Sequence, residues 1–223
     1  MKSLFINRKN PLILSSASPR RKQLLAQARL PFLSEASHVA ETDYLPGPEE
    51  TARILAEKKA CEVFSRISSH WTLGADTLVV INGGTSPYPV ADPGNNEKIL
   101  GKPRDRDDAV RMLGQLSGKT HRVITGFCIL NPSGKTVHVE AVCTEVHIKK
   151  LTGREIEAYV NTKEPYGKAG SYAIQGIGSF MIETISGSYT NVVGLPLFHL
   201  IRALCSVGAL ESYPLPEPGE VGQ

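Results

Sequence analysis

Two arginines stand side by side directly behind a Ser-Pro pair in Ser16-Ala17-Ser18-Pro19-Arg20-Arg21. Chemistry on phosphoryl groups needs donors and positive charge converging on oxygens, and the planar guanidinium fork supplies both. The same run also reads as a capped helix start with solvated arginines, or as a phosphorylation site. A second grouping, Gly74-Ala75-Asp76-Thr77, places a carboxylate among Leu73, Leu78, Val79 and Val80. Burial of that charge is costly unless it is paired, hydrogen-bonded or metal-bound. Asp76 is therefore a candidate for chemistry, with the capping of a neighbouring turn as the plainer role. Lysines follow at intervals: Lys59, Lys102 within Gly101-Lys102-Pro103-Arg104, and Lys168 within Gly167-Lys168-Ala169-Gly170. Each alone is an ordinary surface lysine, and Lys102 stands out because its Gly and Pro neighbours fix its backbone. In Tyr172-Ala173-Ile174-Gln175-Gly176, the Gln175 amide offers an acceptor beside donors. It can satisfy a loop, or pair with an imide edge such as that of uracil or thymine.

Other chemistries lack support. No GxxxxGK[ST] run is present, the six histidines show neither HxxxH nor HExxH spacing, and no GxSxG accompanies a serine. The four cysteines form no CxxC pair, which points to reduced thiols instead of a zinc site or disulfide framework. A formal net charge of +3, without a basic stripe interleaved with aromatics, argues against a nucleic-acid partner. It suits a pocket that neutralises an anion. No apolar run is long enough to cross a bilayer. Residues 1–16 lack the pattern of a cleaved leader, so the cytosol is the expected location.

These groups need elements to hold them. Leu12 to Ser16 reads as a short strand, and Ser18 as the N-cap of a helix with Pro19 first and Leu24, Leu25 and Ala28 on its apolar face. That turn points backbone N–H groups and two guanidiniums at one place, a good seat for an anion. A helix should follow Pro46-Gly47-Pro48, with Ala52, Leu55, Ala56, Ala60 and Val63 at helical spacing. Residues 71–81 read as a buried strand interrupted at Gly74-Ala75-Asp76, and 82–96 as an exposed loop. A helix over 105–116 precedes two strands, 120–130 and 136–148, around a turn at Asn131-Pro132-Ser133-Gly134. Thr152 and Glu155 have capping-box spacing for a helix through Val160, and Leu195-Pro196 opens a last helix through Leu204. The hairpin makes the expected α/β sheet mixed, not wholly parallel.

Taken together, the groups resemble the Maf family of nucleotide pyrophosphatases from about Leu12 to about Leu204. The carriers are Ser16-x-Ser18-Pro19-Arg20-Arg21, Glu41, Lys59-Ala60, Gly74-Ala75-Asp76-Thr77, Gly101-Lys102-Pro103, Leu116-Ser117-Gly118, Glu164-Pro165, Lys168-Ala169-Gly170, Ile174-Gln175-Gly176 and Gly194-Leu195-Pro196. The resemblance implies an elongated mixed sheet with flanking helices, of the inosine-triphosphate-pyrophosphatase-like (Maf/Ham1) type. It implies one catalytic domain over 1–210, with a cleft between two lobes, and a disordered tail over 211–223. The implied reaction converts a nucleoside triphosphate to monophosphate and pyrophosphate with magnesium or manganese. Thr77 and Gln175 mark the dTTP/UTP branch; a 7-methyl-GTP or broad-specificity enzyme, or a weakly catalytic regulator of cell division, are the alternatives.

The resemblance also implies residue roles. Asp76 becomes the base or water-orienting group, and Asp76 and Glu41 the metal ligands. Lys102 joins them in catalysis. Ser16, Ser18, Arg20, Arg21, Lys59 and Lys168 bind the substrate, and Thr77 with Gln175 reads the base. A homodimer is compatible with the resemblance. Two departures stand out: Gly167 replaces the aspartate that usually precedes the KAG lysine, and Ala40 replaces one of an acidic pair.

Overall fold

The computed structural model describes residues 5–40, 47–82 and 97–215. The β-branched and leucine-rich runs assemble into one mixed sheet: β1 (Leu12–Ser15), β2 (Phe32–Glu35), β3 (Thr72–Asn82), β4 (Glu97–Leu100), β5 (Thr120–Leu130), β6 (Thr136–Ile148) and β7 (Ile182–Ser186). The order is β2-β1-β3-β5-β6-β7, with β4 also paired to β3. β1 runs parallel to β2 and β3, and the remaining pairs are antiparallel. The helices are α1 (Pro19–Gln27), α2 (Pro48–Arg66), α3 (Arg106–Leu116), α4 (Gly153–Asn161), α5 (Tyr189–Val193) and α6 (Leu197–Ser206). The chain is α/β with a mixed sheet and flanking helices, as the sequence implies.

Local signals behave as their chemistry dictates. Ser18 caps α1 by accepting from the Arg21 N–H, with Pro19 in the first turn. Thr152 and Glu155 form a complete capping box on α4. In the β5–β6 turn the Asn131 side-chain oxygen accepts from the N–H groups of Ser133 and Lys135, and Gly134 supplies the left-handed φ of 83°.

One expectation changes, and three short strands are added to those expected. β3 is continuous from Thr72 to Asn82 instead of breaking at Gly74-Ala75-Asp76. The glycine is there because α2 passes close over the strand: a Cβ at Gly74 would lie 2.0 Å from the Ala56 carbonyl oxygen, and one at Gly126 2.2 Å from that of Ala52. β2, β4 and β7 are four- or five-residue strands whose patterns are too short to register as periodic. Of the loop expected at 82–96, residues 83–96 lie outside the described residues, as do residues 216–223 of the tail. In the tail's described part the Tyr213 hydroxyl donates to the Ala28 carbonyl, and Leu215 packs against the core.

α2 covers one face of the sheet, with Ala52 packed on Leu78, Val80 and Ile124, and Ala56 and Ala60 on Cys128 and Leu130. Side-chain alternation along the strands turns Ala75, Thr77 and Val79 to the other face. There the core is double. One cluster joins Leu24, Leu25, Ala75, Phe127, Val142 and Leu204, and the other joins Val79, Val123, Val146, Met112, Leu113 and Tyr159. Among the described residues no helix is long and apolar enough to cross a membrane.

Candidate active site

The cleft opens where β3 loses a neighbour. β1 pairs with β3 only at Thr72 and Leu73, and β4 pairs only from Val79 onward, so between them the edge from Gly74 to Leu78 faces neither strand. The carboxyl end of β1 diverges here into the turn before α1. This is the kind of place where open α/β sheets bind ligands. A cavity of about 400 Å³ fills the gap, within the range of small-molecule sites.

The Ser16–Arg21 turn builds one wall, largely by holding itself together. Ser16 Oγ accepts from the Ser18 N–H at 3.2 Å and from Arg21 Nη1 at 3.1 Å. The Ser16 carbonyl accepts from Ser34 Oγ at 2.9 Å, tying the turn to β2. The arginines then reach the carboxyl end of α5. Arg20 Nε donates to the Val193 carbonyl at 3.2 Å, and Arg21 Nε to the Gly194 carbonyl at 2.8 Å. Cations belong at such an end, where carbonyls lack helical donors. Gly194 can turn there because its φ of 126° favours glycine.

On the α2 face, Lys59 and Asp76 form an ion pair at 2.5 Å with both side chains buried. The close helix-to-sheet approach allowed by Gly74 and Gly126 brings Lys59 within reach of the strand. On the opposite face Arg21 Nη2 donates to Thr77 Oγ1 at 3.0 Å. Consecutive residues of one strand thus serve a carboxylate–ammonium pair on one side and a guanidinium on the other.

The third wall is the 167–174 segment. The Gly170 N–H bonds the Gly101 carbonyl at 3.1 Å, docking the Lys168 turn beside Lys102. The Lys168 ammonium donates to the Glu164 carbonyl. The Glu164 carboxylate accepts from the N–H groups of Ile177 and Gly178 at 3.1 and 2.8 Å, which holds the loop carrying Gln175. Gly176, with φ 81°, is required here, since a Cβ would meet Glu164 Oε1 at 2.1 Å.

Arg20, Arg21, Lys59, Lys102 and Lys168 line the cleft, and Asp76 is the one acidic residue among its described lining. Burial lowers the Arg20 pKa. Burial, and then the nearby Arg20 charge, lower that of Lys168. These two cations line one cavity and repel each other, a repulsion that a polyanion would relieve.

Most residues expected from the sequence meet at this one place: Ser16, Ser18, Arg20, Arg21, Lys59, Asp76, Thr77, Lys102 and Lys168 all line the cleft. Gln175 is half-buried and directly follows Ile174, a lining residue, without being one itself. Glu41 lies outside the described residues. Gly167 lines the cleft with φ 73°, and a side chain there would meet nothing within 4 Å.

Sequence reasoning missed Ser15, Tyr172 and the Val193–Gly194 carbonyls. Ser15 lines the cleft, and its Oγ is buried without a hydrogen-bond partner among the described residues. The Tyr172 hydroxyl pairs at 2.7 Å with buried His121, and burial raises its pKa. A serine ending a strand gives no sequence signal, and backbone carbonyls give none at all.

Residues 11–207 match the family described as Maf-like protein. A dTTP/UTP pyrophosphatase of Syntrophotalea carbinolica is 45% identical, over 93% of this chain and 89% of its own. One of Geobacter sulfurreducens is also 45% identical, over 91% and 99%, and one of Halalkalibacterium halodurans 43%, over 87% and 94%. A solved nucleoside-triphosphatase (dITP/XTP pyrophosphatase) of Mycobacterium abscessus aligns over 88% of this chain and 94% of that one, at 15% identity and TM-score 0.41.

Proposed function

This chain belongs to the Maf-like protein family, and from that premise we propose that it hydrolyses dTTP and UTP to the monophosphate and pyrophosphate. One observation in the molecule carries the reading: five cationic side chains converge on a cavity whose single described carboxylate is buried and held by a lysine. In the reaction a water oxygen bonds to the α-phosphorus, and the bond from that phosphorus to the bridging oxygen breaks. Pyrophosphate departs with the electron pair, and the water proton passes to a base.

Asp76 is the group that orients the water and takes its proton. Lys59 binds Asp76 Oδ1 and so holds the carboxylate in place for the water. Arg20, Arg21, Lys102 and Lys168 bind the polyphosphate and offset charge that grows on the leaving pyrophosphate, the dominant contribution in phosphoryl chemistry. Ser16 and Ser18 act mainly by shaping the turn that presents the arginines, and the N–H groups at the start of α1 add positive potential. Gln175, at the rim, pairs with the imide edge of the base. A site built around such hydrogen bonds leaves them unmade with the wrong base, a strong source of discrimination.

A divalent cation fits this donor set. Magnesium is commonly held by one or two carboxylates together with substrate phosphate oxygens. The side-chain oxygens of Asp76, Ser15, Ser16 and Thr77, all residues of the cleft lining, are of that hard type, and the described residues contain no cluster of three acidic, histidine or cysteine side chains. Asp76 would hold it, with Glu41 as the second carboxylate carried over from the resemblance. When bound, such an ion polarises phosphoryl oxygens as a Lewis acid.

The test is turnover of UTP, dTTP, CTP, GTP, 7-methyl-GTP and ITP with magnesium or manganese, resolving nucleotides and pyrophosphate. Preferred conversion of UTP and dTTP to monophosphate plus pyrophosphate is expected. Release of orthophosphate, or equal rates across all bases, would overturn the assignment. Asp76→Asn should lower kcat by at least about a hundredfold, and near-normal turnover would remove Asp76 from the role of base.

A further inference from the structure

Three threonines form a polar seam through the core beneath the cleft. On β3 the inward residues run Ala75, Thr77, Val79; on β5 they run Phe127, Thr125, Val123; on β6 they run Val142, Thr144, Val146. In each strand the first residue belongs to one apolar cluster and the third to the other. Thr77 and Thr125 are directly opposite in the ladder. Asn191 of α5 lies over the seam and is wholly buried. Its Nδ2 donates to the Val123 carbonyl at 3.0 Å and to Thr144 Oγ1 at 2.9 Å.

The direction of these bonds is fixed. Thr125 Oγ1 donates to the Asn191 carbonyl at 3.1 Å, so its contact with Thr77 Oγ1 at 2.9 Å must be as acceptor. Thr77 then donates to Thr125 and accepts from Arg21 Nη2. The result is a one-way chain, Arg21 to Thr77 to Thr125 to the Asn191 carbonyl. Asn191 also anchors the short helix whose terminal carbonyls receive Arg20 Nε and Arg21 Nε. The Nε and Nη2 donors of Arg21 are thus set by one network, while Nη1 is held by Ser16 Oγ. Among the described residues Asn191 Oδ1 is buried without a partner, a cost that a merely structural core would avoid by using apolar residues.

We propose that Thr125 and Asn191 are positioning residues that fix the orientation of the Arg21 guanidinium in the cleft, with Thr77 as the relay between them and Arg21. The proposal rests on the reading that Arg21 binds the polyphosphate. It gives Thr77 a role beside base recognition, since its hydroxyl proton is committed to Thr125 and one of its two lone pairs to Arg21.

The experiment compares Thr125→Val, Thr125→Ser, Arg21→Lys, Arg21→Ala and the Thr125→Val/Arg21→Lys double variant, measuring kcat and KM for dTTP and Tm for each. Thr125→Val keeps the packing volume and should hold its Tm within about 4 °C of the parent. Its kcat/KM should fall about tenfold or more, because Thr77 loses the partner that aims its oxygen at Arg21 and a misplaced group of this kind is costly even far from the chemistry. Thr125→Ser should return to within about threefold of the parent, and in the Arg21→Lys background the valine should cost less than about twofold. A Thr125→Val enzyme within about twofold of the parent, or one losing as much in the Arg21→Lys background, overturns the positioning role. Should Arg21→Ala itself keep normal turnover, it is the reading of Arg21 as a phosphate ligand that fails.

Discussion

Replacing Gly74 by alanine should loosen α2 from the sheet and open the Lys59–Asp76 pair at once. No left-handed φ is needed at Gly74, so the backbone accepts alanine without strain, and the loss of unfolded-state freedom alone would stabilise by about 0.4–1 kcal/mol. The added Cβ, however, would stand 2.0 Å from the Ala56 carbonyl oxygen, 2.8 Å from the Ala60 nitrogen and 2.9 Å from the Ala60 Cβ. These are mostly helix backbone atoms, which cannot swing aside as a side chain can. Relaxing the first contact to about 3.3 Å moves the helix outward by about 1.3 Å. Overpacking of this kind costs about 3 kcal/mol, leaving a net loss near 2 kcal/mol after the entropic gain. For a domain of this size that lowers Tm by about 4–8 °C. The same displacement carries Lys59 from 2.5 Å to beyond hydrogen-bonding distance of Asp76, so kcat should drop at temperatures where the variant is still folded. Thermal unfolding and steady-state turnover below the transition read both effects. A Gly74→Ala protein with parental Tm and kcat would refute the claim that this glycine sets the height of α2 over the site.

Lys59→Met should cost about 3–5 kcal/mol in stability by stranding the Asp76 charge, read as a lowered denaturant midpoint. Lys59→Met/Asp76→Leu should recover most of that loss while remaining inactive, and a double variant no more stable than the single one would contradict this account. His121, whose pKa burial pushes down to about 4, folds uncharged. Its contribution to stability is therefore present above the unfolded value of about 6.5 and is lost as pH falls toward about 4, by about 3 kcal/mol. His121→Gln should flatten stability over that window in urea titrations, and an unchanged slope would exclude His121 as its source. Glu155 is held down to about 2 by the Lys149 ammonium and then by the Thr152 N–H and hydroxyl. The support it gives α4 is accordingly present above a pH of about 4.3 and lost as pH falls toward about 2. Amide exchange in α4 should rise selectively over that range and become pH-independent in Glu155→Gln, apart from the intrinsic exchange rate.

Much of this molecule is legible along the chain because the responsible signals are local. Ser18-Pro19, Thr152 with Glu155, and Asn131 with Gly134 each close hydrogen bonds within a few residues, so their elements can be read without knowing what lies across the sheet. The cleft residues were also visible as types, since adjacent arginines and a carboxylate in an apolar run are costly unless they have partners. Short strands such as β4 were not legible: four residues carry too little periodicity, and their pairing partner is supplied from elsewhere. Thr125 and Thr144 carried no signal either, because threonine is an ordinary strand former.

By itself the sequence determined the α/β class, the helix starts, the hairpin and the cationic character of the site, all consequences of residue type and short-range spacing. Only the tertiary structure decided how these residues are arranged. It chose that β1 and β4 leave β3 uncovered from Gly74 to Leu78, that Lys59 and Arg21 meet consecutive residues of β3 from opposite faces, and that the arginines end on α5 carbonyls some 173 residues away along the chain. The physical reason is that a carbonyl, a strand edge or a threonine hydroxyl looks the same at every position in a sequence. Its use depends on which donor the packing of distant elements brings within about 3 Å.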